Sequence, residues 1–308
     1  MAAINLMNLG REKIEEIVNS FDTILADCDG VLWRQNNSIA NAANVINAFH
    51  KTGKSIFYVT NNSTKSREEF VEKAQNLGFI ASADNVLCTS YLAAKYLQSI
   101  NFEKKVYTIG SSGITKELDK AGIAYCGVGP DPVIENFNYV ENFTPDPDVG
   151  AVLVGFDVYF NYVKMLKAAT YLNKKDILFI GTNTDERYAA SETIIVPCTG
   201  SIVKCIETCS ERKATIMGKP APYTAIMLQN EYKIDPTRTL IIGDRANTDI
   251  LFGKRCGFKT LLVLTGVSTT SDIDNWKKSN DLNDKELIPD YYTQTIGDLL
   301  PYIKNLNN

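Results

Sequence analysis

Short apolar runs alternate with stretches of helical period through most of the chain. "TILADCD" precedes "NAANVINAFHKTG", where Val45, Ile46 and Phe49 recur on one helical face, His50 lies on its apolar side and Gly53 supplies a stop. "SIFYVT" precedes "SREEFVEKAQNLG", which opens on a capping box of Ser66 and Glu69 and closes at Gly78. "NVLCTS" and "YLAAKYLQSI" repeat the alternation, and it returns late in the chain as "ATIMGKP", "YTAIMLQNEYK", "RTLIIGD", "TDILFGKRCG" and "TLLVLTG". Strand followed by helix in this manner predicts an α/β fold, a Rossmann-like doubly wound parallel sheet with helices on both faces.

The middle of the chain carries a set of its own: "KVYTIG", "ITKELDKAG", "GAVLVGFD", "YVKMLKAATYL" and "DILFIGTN". This set begins after the charged "NFEKK" and contains the turn-rich "ENFTPDPDVG". The expected organisation is a core of residues 1–104 and 211–308 interrupted by a second α/β module of residues 105–210. No repeat of fixed period is present, which excludes a solenoid.

Composition narrows the chemistry. A net charge of −4 and the lack of any long Lys/Arg run argue against nucleic acid or an anionic membrane as a general partner. No apolar stretch is long enough to span a bilayer, and the first residues turn charged too early for a secretory signal, so a cytoplasmic location is expected. Seven scattered cysteines without a CxxC pair read as reduced thiols. Cys28 reads as a core thiol, and Cys205 with Cys209, one helical turn apart, as core packing. The single histidine, His50, excludes histidine-based zinc sites and Ser-His-Asp triads.

Four strand ends of the outer module carry polar groups that a site beyond the carboxyl edge of a sheet could use. They are Asp27 and Asp29 after the first run, Thr60 and Asn61 after "IFYV", Lys219 after "TIMG", and Asp244 after "TLIIG" with Asp249 beyond it. Taken singly, each has an ordinary reading: a solvated loop for the aspartates, a surface lysine, a β-branched strand end, a turn asparagine. Gathered together, the carboxylates repel one another and resist desolvation unless a hard cation offsets them. All-oxygen ligation suits Mg²⁺, which keeps waters and recruits a phosphate oxygen. A phosphate ester is the expected ligand, and a nucleophilic aspartate the expected means of cleaving it.

The motifs "DCDGVLW", "VTNNS", "GKP" and "GDRANTDI", in that order, resemble the four successive motifs of the haloacid dehalogenase-type phosphatases. "GFDVYFNYVKM", "GTNTDERY", "CTGSIVKCIET" and "LTGVST" extend the likeness to the 4-nitrophenylphosphatase and phosphoglycolate phosphatase branch, from about residue 12 to 303. The resemblance implies that Asp27 is the nucleophile and Asp29 the acid and base acting on the leaving alcohol and on water. It implies that Thr60 and Lys219 hold phosphoryl oxygens, and Asn61, otherwise a turn residue, is a further candidate contact to the substrate. Mg²⁺ would be bound by Asp27, Asp244 and the backbone carbonyl of Asp29, with Asp249 orienting that shell. The inserted module corresponds to the family's α/β cap, which selects the substrate and through which relatives commonly form homodimers.

Two motifs depart from the family pattern, at Ala246-Asn247 in "GDRANTDI" and at Cys198 in "CTG"; neither change replaces a motif aspartate. Arg187 and Tyr188, on an expected cap loop, stand where relatives acting on pyridoxal phosphate often carry a histidine. This favours a small phosphate such as phosphoglycolate or glycerol 3-phosphate, with 4-nitrophenyl phosphate as an artificial substrate. Pyridoxal phosphate, a phosphoprotein, or a non-catalytic phosphate-binding role are the alternatives; the last is disfavoured because Asp27 and Asp29 are both present. Trp33 reads as a packing residue on the loop after the aspartates.

Overall fold

The computed structural model describes residues 3–132, 140, 142–189 and 193–303. They form two compact units: Met1–Thr60 with Glu68–Leu87 and Lys219–Asn308, and Asn61–Arg67 with Cys88–Gly218. The strands in chain order are β1 (Ile4–Asn5), β2 (Thr23–Ala26), β3 (Trp33–Arg34), β4 (Asn37–Ser38), β5 (Ser55–Thr60), β6 (Val86–Cys88), β7 (Lys105–Ile109), β8 (Tyr125–Cys126), β9 (Val149–Val154), β10 (Leu178–Gly181), β11 (Arg187–Ala189), β12 (Ile195–Pro197), β13 (Thr215–Ile216), β14 (Thr239–Gly243), β15 (Lys259–Val263) and β16 (Tyr291–Thr293).

In the first unit seven strands run in the order β1-β16-β15-β14-β2-β5-β6. The pairings from β1 across to β5 are parallel. β2 and β14 are buried along their whole lengths, because helices cover both faces and no side chain is left for solvent. On the helix Ala42–Lys51 the residues Val45, Ile46 and Phe49 are buried, as their spacing predicts. His50 is exposed, not on the apolar side: one residue past Phe49 rotates about 100° around the helix axis and out of the core.

The second unit is a five-stranded sheet in the order β13-β10-β9-β7-β8, parallel throughout. Its core joins Tyr107, Val152, Val154 and Phe179 of the strands to Ala168 and Leu172 of the helix Tyr162–Leu172 and to Val203 and Ile206 of the helix Thr199–Ser210. Lys164 and Asp157 form an ion pair wholly inside this unit, and Asp157 also accepts the Tyr159 amide at 2.8 Å.

Three expectations change here. "ATIMGKP" was expected to give a strand of the outer module, but β13 pairs with Ile180–Gly181 of β10 in the second sheet. Met217 N and Gly218 N then donate to Gly181 O and Thr182 O, so the backbone is satisfied in that sheet up to the residue before Lys219. Cys205 and Cys209 are not core residues: Ile202, Val203 and Ile206 hold the buried stripe of their helix, leaving Cys205 half-buried against Met165 and Cys209 exposed. Arg187 and Tyr188 lie not in a loop but in β11, paired antiparallel with β12.

Candidate functional site

Strand order reverses at β2. The chain continues from it to β5 and β6 on one side, while β14 lies on the other. Crevices at such points, beyond the carboxyl ends of the strands, are where open α/β sheets bind ligands. Asp27 follows β2 directly and Asp244 follows β14, and the two strands are in register with Ala26 opposite Ile242. Asp27 N donates to Ile242 O at 2.9 Å, extending the ladder by one bond and placing both carboxylates at the same edge.

Lys219 enters this place by its long side chain. Its ammonium donates to Asp27 Oδ1 at 2.7 Å and to Val59 O at 2.8 Å, and lies 2.7 Å from Asp249 Oδ1. Asp249 sits on the turn Ala246–Ile250, where its Oδ2 accepts the Arg245 amide at 3.1 Å. Asp244 Oδ2 accepts the Val267 amide at 2.8 Å. Thr60, the last residue of β5, is buried at the same sheet edge.

Glycines permit this crowding. Gly30 has φ +91°, and a Cβ there would stand 2.7 Å from Asp244 Oδ2. A Cβ on Gly266 would fall inside the van der Waals envelope of the same oxygen. The backbone therefore closes on the Asp244 carboxylate from two directions.

Oxygens of Asp27, Asp244 and Asp249 lie within 4.8 Å of one another, and Asp27, the most open of the three residues, is only 9% exposed. Burial raises the Asp27 carboxyl well above its usual range; Lys219 opposes this, and Asp249 and Asp244 add to it. Burial and the charge of Asp249 push Asp244 up to about 7. Burial alone would lower the Lys219 ammonium, but Asp249 and Asp27 more than reverse it, so the lysine stays charged. Three clustered carboxylates against one ammonium leave an excess of negative charge in a desolvated place. A divalent cation that takes oxygen ligands fits that donor set.

Asp29 differs from its neighbours, with a side chain 48% exposed. Its Oδ1 accepts the indole N–H of Trp33 at 2.9 Å and lies 3.6 Å from Lys73 Nζ. Trp33 is a packing residue, as expected, with its ring edge-on to Phe79, but it is also the hydrogen-bond partner of Asp29. Neither that role nor the part of Lys73 was anticipated; an indole four residues from a carboxylate was the available signal. Cys28 is a buried core thiol.

The remaining candidates belong to the second unit. Asn61 Nδ2 donates to Asp185 Oδ1 at 3.3 Å, and its carbonyl accepts Asn183 Nδ2 at 2.6 Å and Thr89 Oγ1 at 2.7 Å. Asn61 is thus tied to the segment that leads into β11. Arg187 and Tyr188 on that strand are exposed.

A family model described as haloacid dehalogenase-like hydrolase matches residues 24–124, and a second, HAD-hydrolase-like, matches residues 216–299. Human glycerol-3-phosphate phosphatase is 38% identical over 97% of this chain and 96% of its own length. The chloroplastic phosphoglycolate phosphatase 1A of Arabidopsis thaliana is 37% identical over 94% of this chain and 79% of its own. Among solved structures, the p-nitrophenyl phosphatase of Archaeoglobus fulgidus superposes with a TM-score of 0.76 at 26% identity, covering 91% of this chain and 98% of its own. The aspartate-lined edge of the sheet and these likenesses agree, and the chain belongs to the haloacid dehalogenase-like hydrolases, as one of their phosphoric monoester hydrolases.

Proposed function

We propose that this enzyme hydrolyses small phosphate monoesters, glycerol 3-phosphate or phosphoglycolate foremost, with Mg²⁺ and through an aspartyl-phosphate on Asp27. The observation that carries the reading is the cluster of Asp27, Lys219, Asp249 and Asp244 at the reversal of the sheet. Asp27, Asp244 and the carbonyl of Asp29 would hold the ion, with Asp249 orienting that shell. Bound there, Mg²⁺ supplies positive charge that lets the carboxylates ionise together and offsets charge on the phosphoryl oxygens.

A carboxylate oxygen of Asp27 attacks phosphorus, the bond from phosphorus to the ester oxygen breaks, and the Asp29 carboxyl gives its proton to the departing alkoxide. Water then attacks phosphorus, its proton returning to Asp29 as the acyl-phosphate bond breaks and Asp27 is regenerated. Lys219 and Thr60 hold phosphoryl oxygens through the transfer, where fixed donors in a dry site are worth most. Asn61, next in the chain after Thr60, is proposed as a further phosphoryl contact. The proposed cap comprises that unit, whose residues Asn61–Arg67, Cys88–Lys104 and Glu211–Gly218 widen the 105–210 insert expected above.

Substrate choice is assigned to β11. Arg187 offers a cation and Tyr188 a half-exposed ring, which suits a short anionic or polyol ester. The names of the relatives support the same two substrates. Exposed Val158, Tyr159, Tyr162 and Ile195 in the second unit support homodimerisation through it, which a molar mass by light scattering would test. Among the described residues no helix is long and apolar enough to cross a membrane, and the free thiols support a cytoplasmic location.

The test is phosphate release from glycerol 3-phosphate, phosphoglycolate, pyridoxal phosphate and a phosphotyrosyl peptide, with Mg²⁺ and with chelator, by wild type and Asp27→Asn. Metal-dependent turnover of one of the first two, lost by at least about 10³-fold in the variant, is expected. Equal rates in Asp27→Asn would overturn the nucleophile; a preference for pyridoxal phosphate or peptide would overturn the substrate.

A further inference from the structure

Asp29 is held by two groups, and both hold the same oxygen. Trp33 Nε1 donates to Oδ1 at 2.9 Å and Lys73 Nζ stands 3.6 Å from Oδ1, while among the described residues Oδ2 makes no hydrogen bond or ion pair. The three groups close on one another, because Lys73 Nζ also lies 4.7 Å from the centre of the Trp33 ring.

The indole is a fixed donor. Its side chain is buried, its ring meets Phe79 at 5.6 Å edge to face, and Phe79 in turn meets Tyr58 at 6.3 Å. The backbone between the two residues is closed as well, by Gly30 N to Trp33 O at 2.8 Å and Trp33 N to Cys28 O at 3.2 Å. Lys73 comes from the helix Arg67–Asn76, with 17% of its side chain exposed, so its ammonium is directed from a rigid element. Asp29, by contrast, is half-exposed and directly precedes Gly30; without these partners its carboxylate could rotate in water.

We infer that Trp33 and Lys73 are positioning residues that hold Oδ1 of Asp29 and so leave Oδ2 to carry the proton to and from substrate. An indole N–H and an ammonium only donate, so both require an accepting oxygen. A neutral carboxyl has one accepting carbonyl oxygen and one hydroxyl. With Oδ1 hydrogen-bonded to the indole and facing the Lys73 ammonium at ion-pair distance, the hydroxyl of the neutral form is Oδ2. The same two contacts serve the carboxylate, so the side chain keeps its place while the proton leaves and returns. The inference rests on Asp29 being the acid of the proposed reaction, and it adds which atom acts and what aims it.

Substrates with different leaving groups test this. An alkoxide such as that of glycerol needs a proton as it departs, whereas 4-nitrophenolate leaves without one. kcat/KM reports the transfer to Asp27, the step in which the leaving group departs. Trp33→Phe keeps the ring and loses the donor; Lys73→Met keeps the stem and loses the charge. Positioned proton transfer contributes about 10²–10⁴-fold. In Trp33→Phe, kcat/KM for glycerol 3-phosphate is expected to fall at least about tenfold, against less than about threefold for 4-nitrophenyl phosphate. Lys73→Met should show the same split, smaller, and Asp29→Asn a larger one. Adding Trp33→Phe to Asp29→Asn should cost nothing further, because the residue that it aims is gone.

Equal falls on both substrates in the single variants would assign a structural role only and overturn the inference, as would no fall. If thermal melting shows Trp33→Phe unfolded, Lys73→Met decides alone. An unchanged ratio in Asp29→Asn would overturn the acid itself, an outcome separable from failure of the two supporting residues.

Discussion

Lys219 Nζ meets Asp27 Oδ1 at 2.7 Å where the lysine side chain is 1% exposed and the aspartate's 12%. The same nitrogen stands 2.7 Å from Asp249 Oδ1, so one ammonium is shared between the residue at the end of β2 and the turn after β14. Loss of one member of a buried ion pair leaves its partner uncompensated, which costs about 3–5 kcal/mol. Lys219→Met should lower stability by that order in chemical denaturation and cut phosphate release by about 10²–10³-fold. Lys219→Arg should not restore the rate, because a planar fork does not occupy the volume of a point charge. A near-normal rate in Lys219→Met would contradict the assignment.

The metal-free protein should grow less stable as pH rises. Burial raises the folded Asp244 carboxyl from the ordinary aspartate value, about 3.9, to about 7, so between these values the folded chain binds the extra proton. Its contribution is whole below about pH 4 and lost through pH 7, worth roughly 4 kcal/mol at most by the shift. Asp27 is raised as well and acts in the same direction. Denaturation in chelator at pH 5 and pH 8 should show the fall, and Mg²⁺ should reverse it at pH 8. Stability in chelator that rises over this range would show the carboxylates to be compensated by other groups.

Gly266 has no room for a methyl group beside Asp244. The Asp244 carboxylate also takes the Val267 amide, so in Gly266→Ala it would have to leave both its hydrogen bond and its place in the cluster. The Mg²⁺ concentration for half-maximal activity is expected to rise about tenfold or more, by analogy with the loss of an oriented ligand. Titration of activity with Mg²⁺ measures it, and an unchanged midpoint would mean that Asp244 is not a ligand.

Stability of the second unit should depend on Lys164 and Asp157, both side chains essentially without solvent. Lys164→Met strands the Asp157 carboxylate and should cost about 3–5 kcal/mol. The double variant with Asp157→Asn should recover part of that, a coupling that a double-mutant cycle in denaturant would read. Strict additivity would rule the pair out as an energetic unit.

How far the primary structure reaches is plain from individual elements. β2 and β14 are continuous apolar runs because a parallel strand covered on both faces has no polar side, and such runs are legible without any partner. The stripe of Val45, Ile46 and Phe49 is legible for the same local reason, and His50 shows the limit of it: one residue is a third of a turn. The sheet that β13 joins is not legible, because a two-residue strand carries no mark of its partner, and β10 lies more than thirty residues away in the chain. Arg187 and Tyr188 gave no alternating run long enough to announce a hairpin.

By itself the sequence determined which residue types stand at the ends of which apolar runs, since periodicity and motif order are properties of neighbours along the chain. Asp27, Asp29, Thr60, Lys219, Asp244 and Asp249 were all legible in that sense. Only the tertiary structure decided that Lys219 is shared by Asp27 and Asp249, that two glycines press on Asp244, and that Trp33 and Lys73 hold one oxygen of Asp29. Those relations depend on strand order, register and side-chain burial, which bring together groups nearly two hundred residues apart and set their charges against each other where water cannot screen them.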